Sequence, residues 1–206
     1  MSAVLEKPVI NEFGIARFVL QFSPFLEIDD DQFFEFCQAN RDLRIERNSQ
    51  GEIIIMPPTG WETSDKNSEI NFQLRLWAKK TKLGKVAESS GGYKMPNGAI
   101  MSPDASWVLN ERLQTVSPAK RRKFLPLAPD FVIELRSESD SLAKIKDKMQ
   151  EYIENGVSLG WLIDAGERKI YVYRPNAEVE TLENPTEISG EPLLQGFVLN
   201  LKEIWE

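Results

Sequence analysis

The sequence predicts an α/β fold: a mixed β-sheet flanked by helices, with additional β-hairpins. Three observations predict it. Residues 129–164 run from a buried strand through a polar loop and an amphipathic helix into a second apolar strand. Residues 63–83 carry Ile70, Leu74 and Trp77 at helical intervals. Two pairs of short apolar runs, LRIER with EIIIM and LGWLID with KIYVYRP, are separated by turn residues and read as hairpins.

Taken in order, residues 1–27 show no amphipathic pattern and read as an N-terminal arm on a single domain spanning 28–206. Asp29 or Asp30 can cap a helix to about residue 39, with Phe33, Phe34 and Cys37 on its apolar side. The first hairpin follows and ends at Pro57 and Pro58, and Gly84 is the expected stop of the long helix. Short strands are expected at 85–88 and 92–95, then a turn at Pro96-Asn97-Gly98, then an extended stretch interrupted by Pro103. Residues 110–123 carry a cap signal and the basic cluster Lys120, Arg121, Arg122 and Lys123, expected on a helix face. After the 131–136 strand, Ser139, Asp140 or Ser141 can cap a helix to about residue 154, stopped by Gly156. The second hairpin turns through Ala165-Gly166. The tail is expected to hold one late strand near 197–199 and a short terminal helix.

Composition narrows the chemistry. A chain of 206 residues is long enough for one well-buried domain. It contains no histidine, which removes histidine bases, Ser-His-Asp and Cys-His nucleophile systems and histidine zinc ligands together. Catalysis must be built from carboxylates, Lys, Arg, Tyr and Ser, and oxygen donors suit Mg²⁺, Mn²⁺ or Ca²⁺. The lone Cys37 allows no internal disulfide. No run reaches a membrane span and no signal-peptide pattern opens the chain, so a cytoplasmic protein is expected. The net charge of −7 argues against a broad nucleic-acid footprint, leaving the 120–123 cluster as the candidate phosphate contact.

One carboxylate stands out. Glu134 lies inside an apolar strand and shares its face with Arg136, because side chains alternate along a strand. A buried charge costs several kcal/mol unless it is paired or bound to a metal. Asp130 and Glu138 have the same parity but sit roughly 13 Å away at about 3.3 Å per residue, so a partner must come from a neighbouring strand. Asp104, at the start of an apolar extended stretch, is the candidate; it could equally cap a turn after Pro103. On the following helix, Leu142, Ile145, Met149, Tyr152 and Ile153 form the apolar face and Lys148 borders it. Lys148 either snorkels to water or meets the two carboxylates.

Three segments in order, PDASWV (103–108), PDFVIELRS (129–137) and KMQEYIENGVSLGWLID (148–164), resemble the restriction-endonuclease-like family abundant in cyanobacteria, part of the PD-(D/E)XK nuclease superfamily. MPPTGWET (56–63) and the stretch from Lys94 also look like family segments, so the resemblance runs over about 30–175. It implies a restriction-endonuclease-like core and metal-dependent hydrolysis of DNA phosphodiester bonds. Asp104 and Glu134, with the backbone carbonyl of Leu135, would hold Mg²⁺ or Mn²⁺. Arg136 stands where the motif has lysine, and Lys148 matches the place to which the family's lysine has moved. Lys148 would orient the attacking water and Arg136 would stabilise transition-state charge. Glu62 matches an N-terminal acidic position, with Glu69 as the fallback. The resemblance, with the apolar edge of the second hairpin, implies a homodimer. The competing expectation is a nucleic-acid-binding or assembly module that keeps the fold without turnover.

Overall fold

A computed structural model describes residues 4–5, 9–11, 14–22 and 26–206. The chain runs β1 (Val4–Leu5), β2 (Val9–Asn11), β3 (Gly14–Gln21), α1 (Asp30–Ala39), β4 (Arg44–Arg47), β5 (Ile53–Met56), α2 (Trp61–Thr81), β6 (Gly84–Glu88), β7 (Tyr93–Lys94), β8 (Ile100–Met101), β9 (Ala105–Leu109) and α3 (Asn110–Gln114). It continues with β10 (Phe131–Arg136), α4 (Leu142–Glu154), β11 (Leu159–Asp164), β12 (Lys169–Tyr173), β13 (Glu180–Glu183), β14 (Glu187–Ser189), β15 (Val198–Asn200) and α5 (Lys202–Trp205).

Six strands in the order β13-β12-β11-β10-β9-β6 make the central sheet. β10 and β11 are parallel, in register from Phe131 with Leu159 to Arg136 with Asp164. Parallel neighbours need a crossover, and α4 supplies it. The remaining neighbours are antiparallel, so the sheet is mixed. Alternation along β10 sends Phe131, Ile133 and Leu135 towards α2, with Trp107, Trp161 and Ile163. Val132 faces α4, where Leu162, Met149 and Tyr152 pack. Glu134 has the parity of Val132 and therefore meets α4.

Helix α2 buries Ile70, Leu74, Trp77 and Ala78, the stripe that its 3.6-residue period places on one side. It ends at Lys82 in the left-handed conformation (φ 59°), not at the expected Gly84. Gly84 instead opens β6, and its missing side chain lets the Trp107 ring lie against the strand: a Cβ there would come within 2.4 Å of that ring and of the Val108 carbonyl. The tail covers the same face of the sheet through Leu194, Phe197, Leu199, Leu201 and Ile204.

A second, antiparallel sheet has the order β1-β3-β5-β4-β8-β7, with β2 on β3. α1 packs on one face of it, placing Phe33 with Ile45, Ile53 and Ile100. Its start is fixed by a capping box between Asp29 and Gln32, as the Asp29 signal indicated. The opposite face of the β4–β5 hairpin turns Arg44, Glu46, Ile54 and Met56 towards the central sheet. The expected arm over 1–27 lies partly outside the described residues. Its described part includes β3, which pairs with β5 along Phe18–Leu20.

Other differences have local causes. Helix α3 stops at Gln114, and only Lys120–Arg122 form a separate 3-10 turn. Pro118 keeps the residue before it out of the helical region, which splits the expected helix. β13 covers the outer edge of β12, so the hairpin edge expected to meet a second copy is already paired. Among the described residues no helix is long and apolar enough to cross a membrane.

The Gly84 contact yields a stability prediction. Gly84→Ala should lose about 1–3 kcal/mol in urea unfolding, because backbone and a buried indole must both move. Gly160→Ala should lose less, since its new Cβ meets mainly the flexible end of Met149.

Candidate active site

The site forms where β9 stops pairing with β10. Their ladder runs from Phe131–Trp107 to Ile133–Ala105 and ends there, because Pro103 precedes Asp104 and has no N–H to donate. Leu135 would be the next residue of β10 to find a partner on that side. Its N–H is taken by the Asp104 carboxylate, at 2.9 Å to Oδ2. A strand residue projects N–H and C=O to the same side, so the Leu135 carbonyl shares this edge. Asp104 thus gives its carboxylate to a distant strand end and to the cavity wall, and not to the local turn that its place after Pro103 also allowed.

Across the cavity, Lys148 lies 2.9 Å from Glu134 Oε1 and donates to Glu46 Oε1 at 3.1 Å. The Tyr152 hydroxyl donates to the same Glu134 oxygen at 2.9 Å. The same Glu46 oxygen also accepts from the backbone N–H of Ser102 at 2.9 Å. Arg44 Nη2 donates to Asp104 Oδ1 at 3.1 Å and to the Ser102 carbonyl at 3.3 Å. Asp104, Glu134 and Glu46 are all buried. The cavity, of about 590 Å³, is lined by Arg44, Glu46, Asp104, Glu134 and Lys148, with the 57–60 and 136–141 loops.

Three carboxylates face two cations, so one net negative charge remains when all three are ionised. Burial pushes Glu134 up to about 7; Lys148 opposes this, while Asp104 and Glu46 add to it. Burial disfavours the charge on Lys148, yet Glu134 and Glu46 outweigh it and hold the ammonium well above its ordinary range. Tyr152 is raised by burial and by the same two carboxylates, so it stays a hydrogen-bond donor.

The structure therefore brings Asp104, Glu134 and Lys148 together, with Leu135 at the edge between them. Arg136 lines the same cavity but is tied to Asp164 at 2.6 Å, with the Asp140 carbonyl at 3.3 Å from its Nε. Glu62 is exposed on the first turn of α2 and does not line the cavity. Glu69 accepts from Gln73, which in turn donates to the Asn200 carbonyl in the tail. The basic cluster lies apart: Arg121, Arg122 and Lys123 line a different depression, and Lys123 pairs with Asp31. Asp130, the other buried acid of β10's approach, accepts from Leu109 N–H and Arg112.

Sequence reasoning missed Glu46 and Arg44. Charges alternating with apolar residues on a hairpin read as its wet face. The available signal was Ile54 and Met56, apolar residues opposite Glu46 and Arg44 on that same face.

The profile of a family described as "Putative restriction endonuclease" (Uma2) matches residues 30–202. The chain belongs to the Uma2 family. A crystal structure from Anabaena variabilis, described as that of a "putative nuclease belonging to DUF820", shares 23% identity and superposes with a TM-score of 0.67. The likeness covers 78% of this chain and 89% of that one and shows the same fold. A comparison with curated proteins finds no match. The Uma2 chain thus has the restriction-endonuclease-like α/β architecture that its motifs implied.

The donor chemistry of this Uma2 site suits a hard divalent ion: two carboxylates and a strand-edge carbonyl, all oxygen, in a pocket with surplus negative charge. Among the described residues no cluster of three acidic or thiol side chains is pre-arranged around an ion. A small set of this kind matches Mg²⁺, which takes one or two carboxylates and keeps its waters.

Two predictions follow from the buried charges. Lys148→Met should destabilise by about 3–5 kcal/mol in chemical denaturation, since it strands Glu134 and Glu46 without their countercharge. The raised value of Glu134 means that the folded protein binds its proton more readily than the unfolded chain. Stability from this group is complete below its ordinary value of 4.5 and declines as pH rises to about 7. In metal-free buffer, Glu134→Gln should therefore gain on the wild type across that window, by an amount on the order of 3 kcal/mol. Denaturation curves at its two ends check this.

Proposed function

We propose that this protein is a metal-dependent endonuclease hydrolysing DNA phosphodiester bonds. The observation that carries this reading is the meeting of Asp104, Glu134 and Lys148 in one cavity, drawn from β9, β10 and α4. Asp104, Glu134 and the Leu135 carbonyl would hold Mg²⁺ or Mn²⁺. When bound, the ion polarises a phosphate oxygen and lowers the pKa of a coordinated water.

The chain's own residues supply the rest. Leu135 N–H fixes the Asp104 carboxylate. Tyr152 O–H and Lys148 together fix Glu134. Lys148, kept cationic by two carboxylates, orients the attacking water and offsets charge developing on phosphorus oxygens. Arg136 secures Asp164 and the loop wall, and its remaining donors face substrate from that wall. Exposed Phe72 and Leu76 on α2, beside the edge strand β6, are the apolar surface that supports a homodimer.

A second reading, nucleic-acid binding without turnover, draws support from Arg136 in place of lysine and from the acidic net charge. Incubating supercoiled plasmid and single-stranded DNA with Mg²⁺ or Mn²⁺ separates the two. Cleavage is expected with metal and should fall at least about 100-fold in Asp104→Ala and Glu134→Gln. Cleavage unaffected by both substitutions would sink the assignment; metal binding without cleavage would select the second reading.

A further inference from the structure

The two oxygens of Asp104 have different neighbours. Oδ2 accepts the Leu135 N–H, which fixes the carboxylate against β10, while Oδ1 accepts from Arg44. A cation ligated by Asp104 would compete with the guanidinium for Oδ1. The guanidinium makes poor use of its place. It has five N–H donors in a planar fork suited to bidentate pairing with a carboxylate or phosphate. Among the described residues only Nη2 is engaged, on Asp104 and on the Ser102 carbonyl, and Nε is buried with no partner. An unsatisfied buried donor costs free energy that a better partner would recover.

Arg44 also stands at the cavity's open side. It is the first residue of β4, paired with Met56 beside the exposed 57–60 turn, and its side chain is 27% exposed into the cavity. An arginine cannot relieve repulsion from an arriving cation by losing its proton, so it must leave.

Resting on the nuclease reading above, we propose that Arg44 is an exchangeable countercharge: it occupies Asp104 Oδ1 until a divalent cation takes that oxygen, and then turns its fork to a phosphate of the bound DNA. Arg44 thus serves first as a positioning residue for Asp104 and then as a phosphate-binding residue. The exchange keeps Asp104 neutralised in the metal-free protein and delivers a bidentate phosphate ligand only when the metal is in place.

The test is calorimetric titration of the full chain with Mn²⁺, for wild type, Arg44→Gln, Arg44→Lys and Asp104→Ala. Anisotropy of a short labelled DNA duplex in Ca²⁺ accompanies it. Arg44→Gln should bind Mn²⁺ at least about tenfold tighter than wild type and bind the duplex at least about tenfold weaker. Arg44→Lys, which keeps the charge without the fork, should bind Mn²⁺ as wild type does and lose duplex affinity. Thermal unfolding without metal shows which variants are folded; if Arg44→Gln is not, unchanged duplex affinity in Arg44→Lys overturns the proposal. Unchanged or weaker Mn²⁺ binding in Arg44→Gln also overturns it. If wild type binds Mn²⁺ and Asp104→Ala does not, the nuclease site survives that result. If neither wild type nor Arg44→Gln binds Mn²⁺, both ideas fall.

Discussion

One ammonium group bridges the central mixed sheet and the antiparallel sheet built around the β4–β5 hairpin. Lys148, on the crossover helix, reaches Glu134 of the central sheet and Glu46 of the antiparallel one. Each carboxylate is buried, and a buried ion pair is tolerated only when geometry and further hydrogen bonds offset the lost hydration. Tyr152 and the Ser102 N–H supply those bonds. The position of α4 is consequently held twice, by its apolar face on Leu162 and Val132 and by its charge in the cavity.

The other half of the site comes from a strand that ends early. Had β9 continued past Ala105, the Leu135 N–H and C=O would have met backbone, and the edge would be closed. Pro103 prevents that, and a side chain takes over one ladder bond. The result is a carboxylate held by backbone on the same strand edge as the Leu135 carbonyl. Interruption of regular pairing is thus what brings chemical groups to a place that is otherwise core. The surplus negative charge gathered there is the feature that suits a divalent cation.

Local pattern revealed part of this arrangement. Glu134 was conspicuous because a carboxylate among Val132, Ile133 and Leu135 has no place in an ordinary core strand. Lys148 was conspicuous because it borders an apolar helical stripe, and strand–helix–strand order made their meeting reasonable. Arg44 and Glu46 carried no such mark. Alternation in LRIER is what any hairpin with one wet face shows, and only docking of that face against the central sheet turned it into a cavity wall. Glu62 shows the converse: its place in sequence was suggestive, but the first turn of α2 points it to solvent.

By itself, the sequence determined the first, long and crossover helices, the core strands, the family, and the two members of the site that violate local rules. It did so because hydrophobic periodicity and a misplaced charge are both properties of a short window of chain. Tertiary structure alone decided which carboxylates share a countercharge, that β13 closes the β12 edge, and that the 120–123 cluster lies away from the cavity. Those outcomes depend on which faces of distant elements come into contact, and alternation along one strand cannot say whether its polar side meets water or another sheet.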